Sequence, residues 1–179
     1  AKIFISFDRQ KKLGESTTTL DLSHDEFQLE RPVDELKTEY RSGLQVNFNK
    51  FDFYLEGSYC DYENNLRIFL PGFSEGENPP PDFTELLSYE LRTPYSFTMP
   101  AVTARVNARP MNRIQAAVSY TFSHLDMDLL NYEKGLGTDF NNNTLNYVFT
   151  GYGQINRKLN LVDFDFSYRV HDRVYLIEG

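Results

Sequence analysis

Three histidines, His24, His124 and His171, and one cysteine, Cys60, are the side chains best suited to metal binding or nucleophilic chemistry. The histidines lie far apart, and none has the short spacing of zinc ligands. His171 falls in a tight-turn segment and reads as a solvated residue. Cys60 would need a partner histidine to act as a nucleophile; no spacing supplies one, so it reads as a small inert side chain. Asp126-Met-Asp128 and Asp139-Phe-Asn-Asn-Asn143 carry oxygen ligands at alternating positions, as Ca²⁺ sites do. They lack the glycine and closing glutamate of an EF-hand loop. Solvated loop acids are the plainer reading, and divalent-cation bridging to lipopolysaccharide is the alternative. Asp163 and Asp165 share one strand face, and paired carboxylates can do acid–base work. With Arg105, Arg109 and Arg169 expected on the same wall, they read as a salt-bridged polar surface. Gly135-Leu-Gly137 lacks the strand–turn–helix context of a phosphate loop. No titratable constellation recurs at one end of the strands, so the chain reads as non-enzymatic, with no cofactor and no metal site.

The elements that position these residues are strands. The chain has 179 residues, 15% of them Phe or Tyr, with no Trp. That aromatic content argues against disorder. A net charge of -8 argues against non-specific nucleic-acid binding. One cysteine rules out an intramolecular disulfide. No run of about 18 apolar residues exists, so no transmembrane helix is expected. Both ends are strand-like, as in a section of a longer polypeptide or a trimmed chain.

Alternation with period two dominates. Tyr40, Leu44, Val46 and Phe48 share a face, as do Phe51, Phe53, Leu55 and Tyr59. Asn49-Lys50 between them is a two-residue turn candidate. That turn makes Phe48 face Phe51, Val46 face Phe53, Leu44 face Leu55 and Tyr40 face Tyr59, so pattern and register agree. Val102 to Ala108 and Ile114 to Phe122 form a second such pair, with Val106 expected opposite Ala116, Ala104 opposite Val118 and Val102 opposite Tyr120. Val162 to Val170 and Val174 to Leu176 form a third, with Tyr168 opposite Leu176. The turns Arg109-Pro-Met-Asn-Arg113 and Arg169-Val-His-Asp-Arg173 repeat one Arg-x-x-x-Arg frame. Seven strands are read in all: 2–10, 40–48, 51–60, 97–108, 114–123, 161–170 and a shorter 173–178. Between them lie long connections, about 11–37, 61–96 and 124–158, with extensions near Leu66–Leu70 and Leu145–Gln154 and an exposed tip at Ser74–Asp82. These connections hold 18 acids and 9 bases, whereas the short turns are basic.

Strands of nine to eleven residues, short turns at one end and long loops at the other describe an all-β, antiparallel, up-and-down transmembrane β-barrel. The chain reads as one barrel domain of seven to eight strands or a section of a larger barrel. Phe51, Phe53, Leu55, Val106, Val118, Phe164 and Phe166 are expected to face lipid. Arg41, Asp52, Glu56, Arg105, Arg109, Asp163, Asp165 and Arg169 are expected to line a wet lumen. Tyr40, Tyr59, Tyr120 and Phe122 would form the aromatic girdle. Two alternatives remain: a soluble β-barrel binding a lipid-like ligand, and a small eight-stranded membrane anchor.

Ala104-Arg-Val-Asn-Ala-Arg-Pro-Met-Asn-Arg-Ile-Gln-Ala-Ala-Val-Ser-Tyr120 and Phe164-Asp-Phe-Ser-Tyr-Arg-Val-His-Asp-Arg-Val-Tyr-Leu176 resemble the strand–turn–strand units of bacterial outer-membrane barrels. The sequence looks most like the porin component of porin–cytochrome electron conduits. That resemblance implies a bacterial outer-membrane location, a passage or sheath function, and a multihaem cytochrome as the partner inside. The barrel itself would bind no haem, and this chain has no Cys-x-x-Cys-His. Such barrels are several times longer than this chain.

Overall fold

The computed structural model describes residues 1–79, 83–171 and 174–178. Alternating apolar and β-branched runs make strands throughout, and no helix occurs among the described residues. The strands are β1 (Lys2–Gly14), β2 (Thr17–Leu22), β3 (Asp25–Glu30), β4 (Val33–Phe48), β5 (Phe51–Asn64), β6 (Arg67–Phe69), β7 (Ser74–Glu75), β8 (Glu85–Arg92), β9 (Tyr95–Met111), β10 (Ile114–Thr138), β11 (Thr144–His171) and β12 (Val174–Glu178).

All pair antiparallel in one sheet ordered β1-β4-β5-β9-β10-β8-β6-β3-β2, with β11 between β10 and β12 and β7 on β8. β8 and β9 lie end to end along the same edge of β10, so they form one broken leg. β1 and β2, β3 and β4, and β5 and β6 do the same. The path is therefore an up-and-down meander of seven legs. The sheet is open: among the described residues, β1 and β2 have no outer partner, and β11 has none beyond β10 from Thr144 to Asp165.

The four breaks fall side by side at Glu15-Ser16, Arg31-Pro32, Asn65-Leu66 and Thr93-Pro94. Pro32 and Pro94 remove ladder donors there. A few bonds still bridge the line: Ser16 and Arg31 exchange two (Arg31 N to Ser16 O, 2.7 Å; Ser16 N to Arg31 O, 3.2 Å), and Asn65 N donates to Asp34 O (3.0 Å), Thr93 N to Leu66 O (2.9 Å) and Leu130 N to Pro94 O (3.1 Å). The result is a transverse crease that only β10 and β11 cross unbroken.

The segments 11–37, 61–96 and 124–158, expected as long connections, are mostly strand. The true connections at that end are short, Ser23-His24 and residues 139–143, apart from the link between β6 and β8 that contains β7. Expectation failed there because the apolar residues change face partway up each leg, which breaks a one-face pattern without ending the strand. Ser23 and His24 both take positive φ, 52° and 68°, as a two-residue hairpin turn requires. The Ser74–Asp82 tip holds β7, and its residues 80–82 lie outside the described residues.

Above the crease the sheet buries a core of Phe27, Leu29, Leu86 and Tyr89, the first three no more than 2% exposed. Leu20, Leu22, Ile68, Leu70 and Leu91 pack around it. The sheet curls over this core: His24, at the tip of the first hairpin, meets Phe140, between β10 and β11, edge-on at 5.8 Å. The linking loop is tied down by the buried Asp25 carboxylate, which accepts from Thr84 N (2.9 Å), Asn78 N (3.1 Å) and Glu26 N (3.1 Å).

Candidate functional site: two faces of the lower sheet

The register sets out the two faces row by row. One face carries Phe48–Phe51–Ala108–Ala116–Phe166, then Val46–Phe53–Val106–Val118–Phe164, then Ile3–Leu44–Leu55–Ala104–Tyr120–Val162. Above them come Ile5–Ser42–Gly57–Val102–Phe122–Asn160 and Phe7–Tyr40–Tyr59–Pro100, with the polar pair His124–Lys158 next on this face of β10 and β11. All seven residues expected to face lipid therefore share one continuous apolar face. It is uncovered: Ile5 is 83%, Phe164 54% and Leu55 50% exposed. The four girdle residues lie in its upper three rows.

The opposite face carries Gln45–Tyr54–Arg105–Ser119–Asp163 and Asn47–Asp52–Asn107–Ala117–Asp165. Above them lie Phe4–Gly43–Glu56–Thr103–Thr121–Leu161 and Ser6–Arg41–Ser58–Ala101–Ser123–Leu159, so the β11 edge of this face is apolar at that level. Arg109 and Arg169 continue the same alternation toward the short turns. All eight residues expected to line a lumen thus share one polar face.

The salt-bridged wall expected for Asp163 and Arg105 does not form. β10 runs between them and puts Ser119 there, so the ladder holds them two strands, about 10 Å, apart. Ser119 Oγ donates to Asp163 at 3.2 Å, and Arg105 Nε donates to Asn107 at 3.1 Å. Asn47 Nδ2 donates to Asp52 at 2.6 Å, and the Tyr54 hydroxyl donates to Glu56. The ion pairs of this face lie higher, where Glu39 accepts from Arg41 at 2.6 Å and from Lys37 at 2.8 Å.

Sequence reading missed what happens above the Tyr40–Tyr59 row. The apolar face turns polar: Arg9–Thr38–Asp61–Thr98–Asp126–Asn156, then Lys11–Leu36–Glu63–Ser96–Asp128–Gln154. The polar face turns apolar in its central strands at the same level, with Tyr62–Phe97–Met127–Ile155 and Tyr95–Leu129. The rings of Tyr62 and Phe97 stack at 5.1 Å. This inversion leads into the buried tip core, whose residues continue the second face. The signal was present as a half-period shift in each leg, visible only once the legs are known to be continuous.

The remaining candidates resolve into structure. Asp139 accepts from Asn143 N (2.7 Å), Asn141 N (2.9 Å) and Asn143 Nδ2 (2.9 Å), which makes it the organiser of the β10–β11 turn. His124 Nε2 lies 3.1 Å from Asn156 Oδ1. Cys60 is a buried free thiol, and His171 ends β11. Gly135 and Gly137 lie inside β10, and a side chain on Gly137 would meet the Glu85 carbonyl. No three His, Cys, Asp or Glu residues converge as metal ligands among the described residues. Compared with known protein families and with curated proteins, the chain matches none.

Proposed function

We propose that this chain is wall of a bacterial outer-membrane β-barrel, a non-enzymatic protein that gives a transmembrane passage or sheath. One observation carries the reading: the uncovered apolar face is five rows high in β1, β4, β5 and β9, gives way to Asn160 and Lys158 one to two rows sooner in β11, and then turns charged while the strands continue. Five rows span about 27 Å along a strand, or about 20 Å along the membrane normal at a tilt near 40°, close to the apolar band of such barrels. The band ends in Phe7, Tyr40 and Tyr59, where a girdle belongs. The polar face then lines the wet interior, and further strands on the two open edges complete the wall.

The resemblance to porin–cytochrome conduits narrows the proposal to a sheath. A multihaem cytochrome inside would rest against the polar face, and its haems would be its own.

The test is partition of the expressed chain between buffer and detergent, read with heat-modifiable gel mobility. Insolubility in buffer together with a heat-shifted folded band in detergent supports a membrane wall. A soluble, monomeric β-rich protein in plain buffer overturns it and favours a module that turns its apolar face inward on a lipid-like ligand.

A further inference from the structure

Arg109 and Arg113 flank one short turn and Arg169 leads into the next, and the structure brings these three together. Arg169 N donates to Arg113 O at 2.8 Å, and Arg109 N donates to Lys50 O at 2.8 Å, so the neighbouring short turns are laced in one line. Arg109, Arg113 and Arg169 line a single cavity of about 490 Å³ with Asn112, Gln115 and Ser167. Among the described residues, the charged groups lining it are all guanidinium groups. Every polar side chain there can donate a hydrogen bond. Among the described acids, Asp165 and Asp52 lie one row in, and Asp52 already holds the Asn47 amide.

We propose that this cavity binds a phosphate group, as inorganic phosphate or on a phosphorylated solute, at the short-turn mouth of the polar face. Guanidinium forks match the oxygens of phosphate two at a time, and three of them suit a dianion better than a single carboxylate. The amides and the hydroxyl complete the donor set. Arg109, Gln115, Ser167 and Arg169 belong to the polar face, opposite Phe51 and Val118, so the phosphate comes from water and not from a lipid headgroup. Rings of Arg or Lys are how pores favour anions.

The test uses the whole chain folded in dodecyl maltoside, which carries no phosphorus. Inorganic phosphate is titrated in by calorimetry and by ³¹P line width at constant chloride. Saturable binding is expected, weakened about tenfold in Arg109→Gln and in Arg113→Gln and lost in the double variant, as fits charge-assisted bonds. Arg113→Lys, which keeps the charge and loses the fork, is also expected to weaken it. Lys134→Gln, at the far end of β10, leaves it unchanged. Heat-modifiable mobility identifies the folded fraction of each variant.

Equal affinity in the double variant, an equal loss in Lys134→Gln, or no binding by the folded wild type overturns the proposal. Displacement of phosphate by micelles doped with phosphatidic acid assigns the site to a headgroup and overturns the water-side source. The cavity's chemistry does not depend on the sheet crossing a bilayer. A buffer-soluble chain that binds phosphate would keep this inference and lose the membrane reading.

Discussion

Val118 and Ser119 are chain neighbours on opposite faces. Val118 is 44% exposed in the apolar band, whereas Ser119 bonds Asp163. In a bilayer-folding titration, Val118→Arg is expected to cost about 2–4 kcal/mol, the price of a cation at the midplane. Ser119→Arg is expected to cost far less, and equal costs would sink the face assignment. Asp25 gives a second test. Burial pushes its pKa up, but bonds from the Thr84, Asn78, Glu77 and Glu26 amides outweigh this and hold it below the ordinary 3.8. Its contribution is therefore fully present above that value and is lost as pH falls through the depressed one. Asp25→Asn is expected to weaken the tip by about 1–3 kcal/mol at neutral pH and to flatten the acid limb of its stability below about pH 4. At the alkaline end the sign reverses. Burial first, then the Glu133 carboxylate, pushes Tyr147 up to about 12. Its contribution holds below the ordinary tyrosine value near 10 and fades as pH rises beyond it.

At the scale of elements, the crease divides each of four legs into a lower strand with an exposed apolar face and an upper strand with a buried one. Only β10 and β11 tie the halves together without interruption, so the tip can open locally. In hydrogen–deuterium exchange under mild urea, amides of β2, β3, β6 and β8 are expected to lose protection before those of β4, β5 and β9. Simultaneous loss would mean that the crease is no boundary. The β4–β5 hairpin was legible in full: Phe48 faces Phe51, Val46 faces Phe53, Leu44 faces Leu55 and Tyr40 faces Tyr59. Tyr168 opposite Leu176 was legible too. The second hairpin was misplaced by two residues, because Val106 pairs with Val118, Ala104 with Tyr120 and Val102 with Phe122. The strand runs on through Pro110 to Met111, and a register shift between Ile114 and Ala116 takes up the difference. A slip of two keeps every side chain on its face, so the face assignments survived the wrong register. The Asp172-Arg173 turn lies outside the described residues. The tip core was not legible, since Phe27, Leu29, Leu86 and Tyr89 come from segments too short to show a period alone.

For the whole molecule, the first six of the seven legs are much longer than the apolar band. β10 has 25 residues, about 85 Å of extended chain, and the band takes only its first third. Most of the acids ride on the part beyond the band, and the basic turns lie at the other end. In proteoliposomes of one orientation, a membrane-impermeant maleimide is expected to label Asn141→Cys from one side and Asn112→Cys from the other. Native Cys60, being buried, should stay silent. Labelling of both from the same side would contradict a spanning sheet. Strict alternation also bears on how such a chain leaves the compartment where it is made. A translocation channel retains a segment when about 20 neighbouring residues are apolar together. Here nearly every apolar residue of the band is followed by a polar one, so the unfolded chain offers the channel's side gate nothing to hold. Its affinity for hydrocarbon comes into being only when neighbouring legs zip together and sort their side chains to opposite sides. On the proposed wall reading, the same sequence would pass through one membrane as a water-soluble thread and would lodge in the next only by folding there.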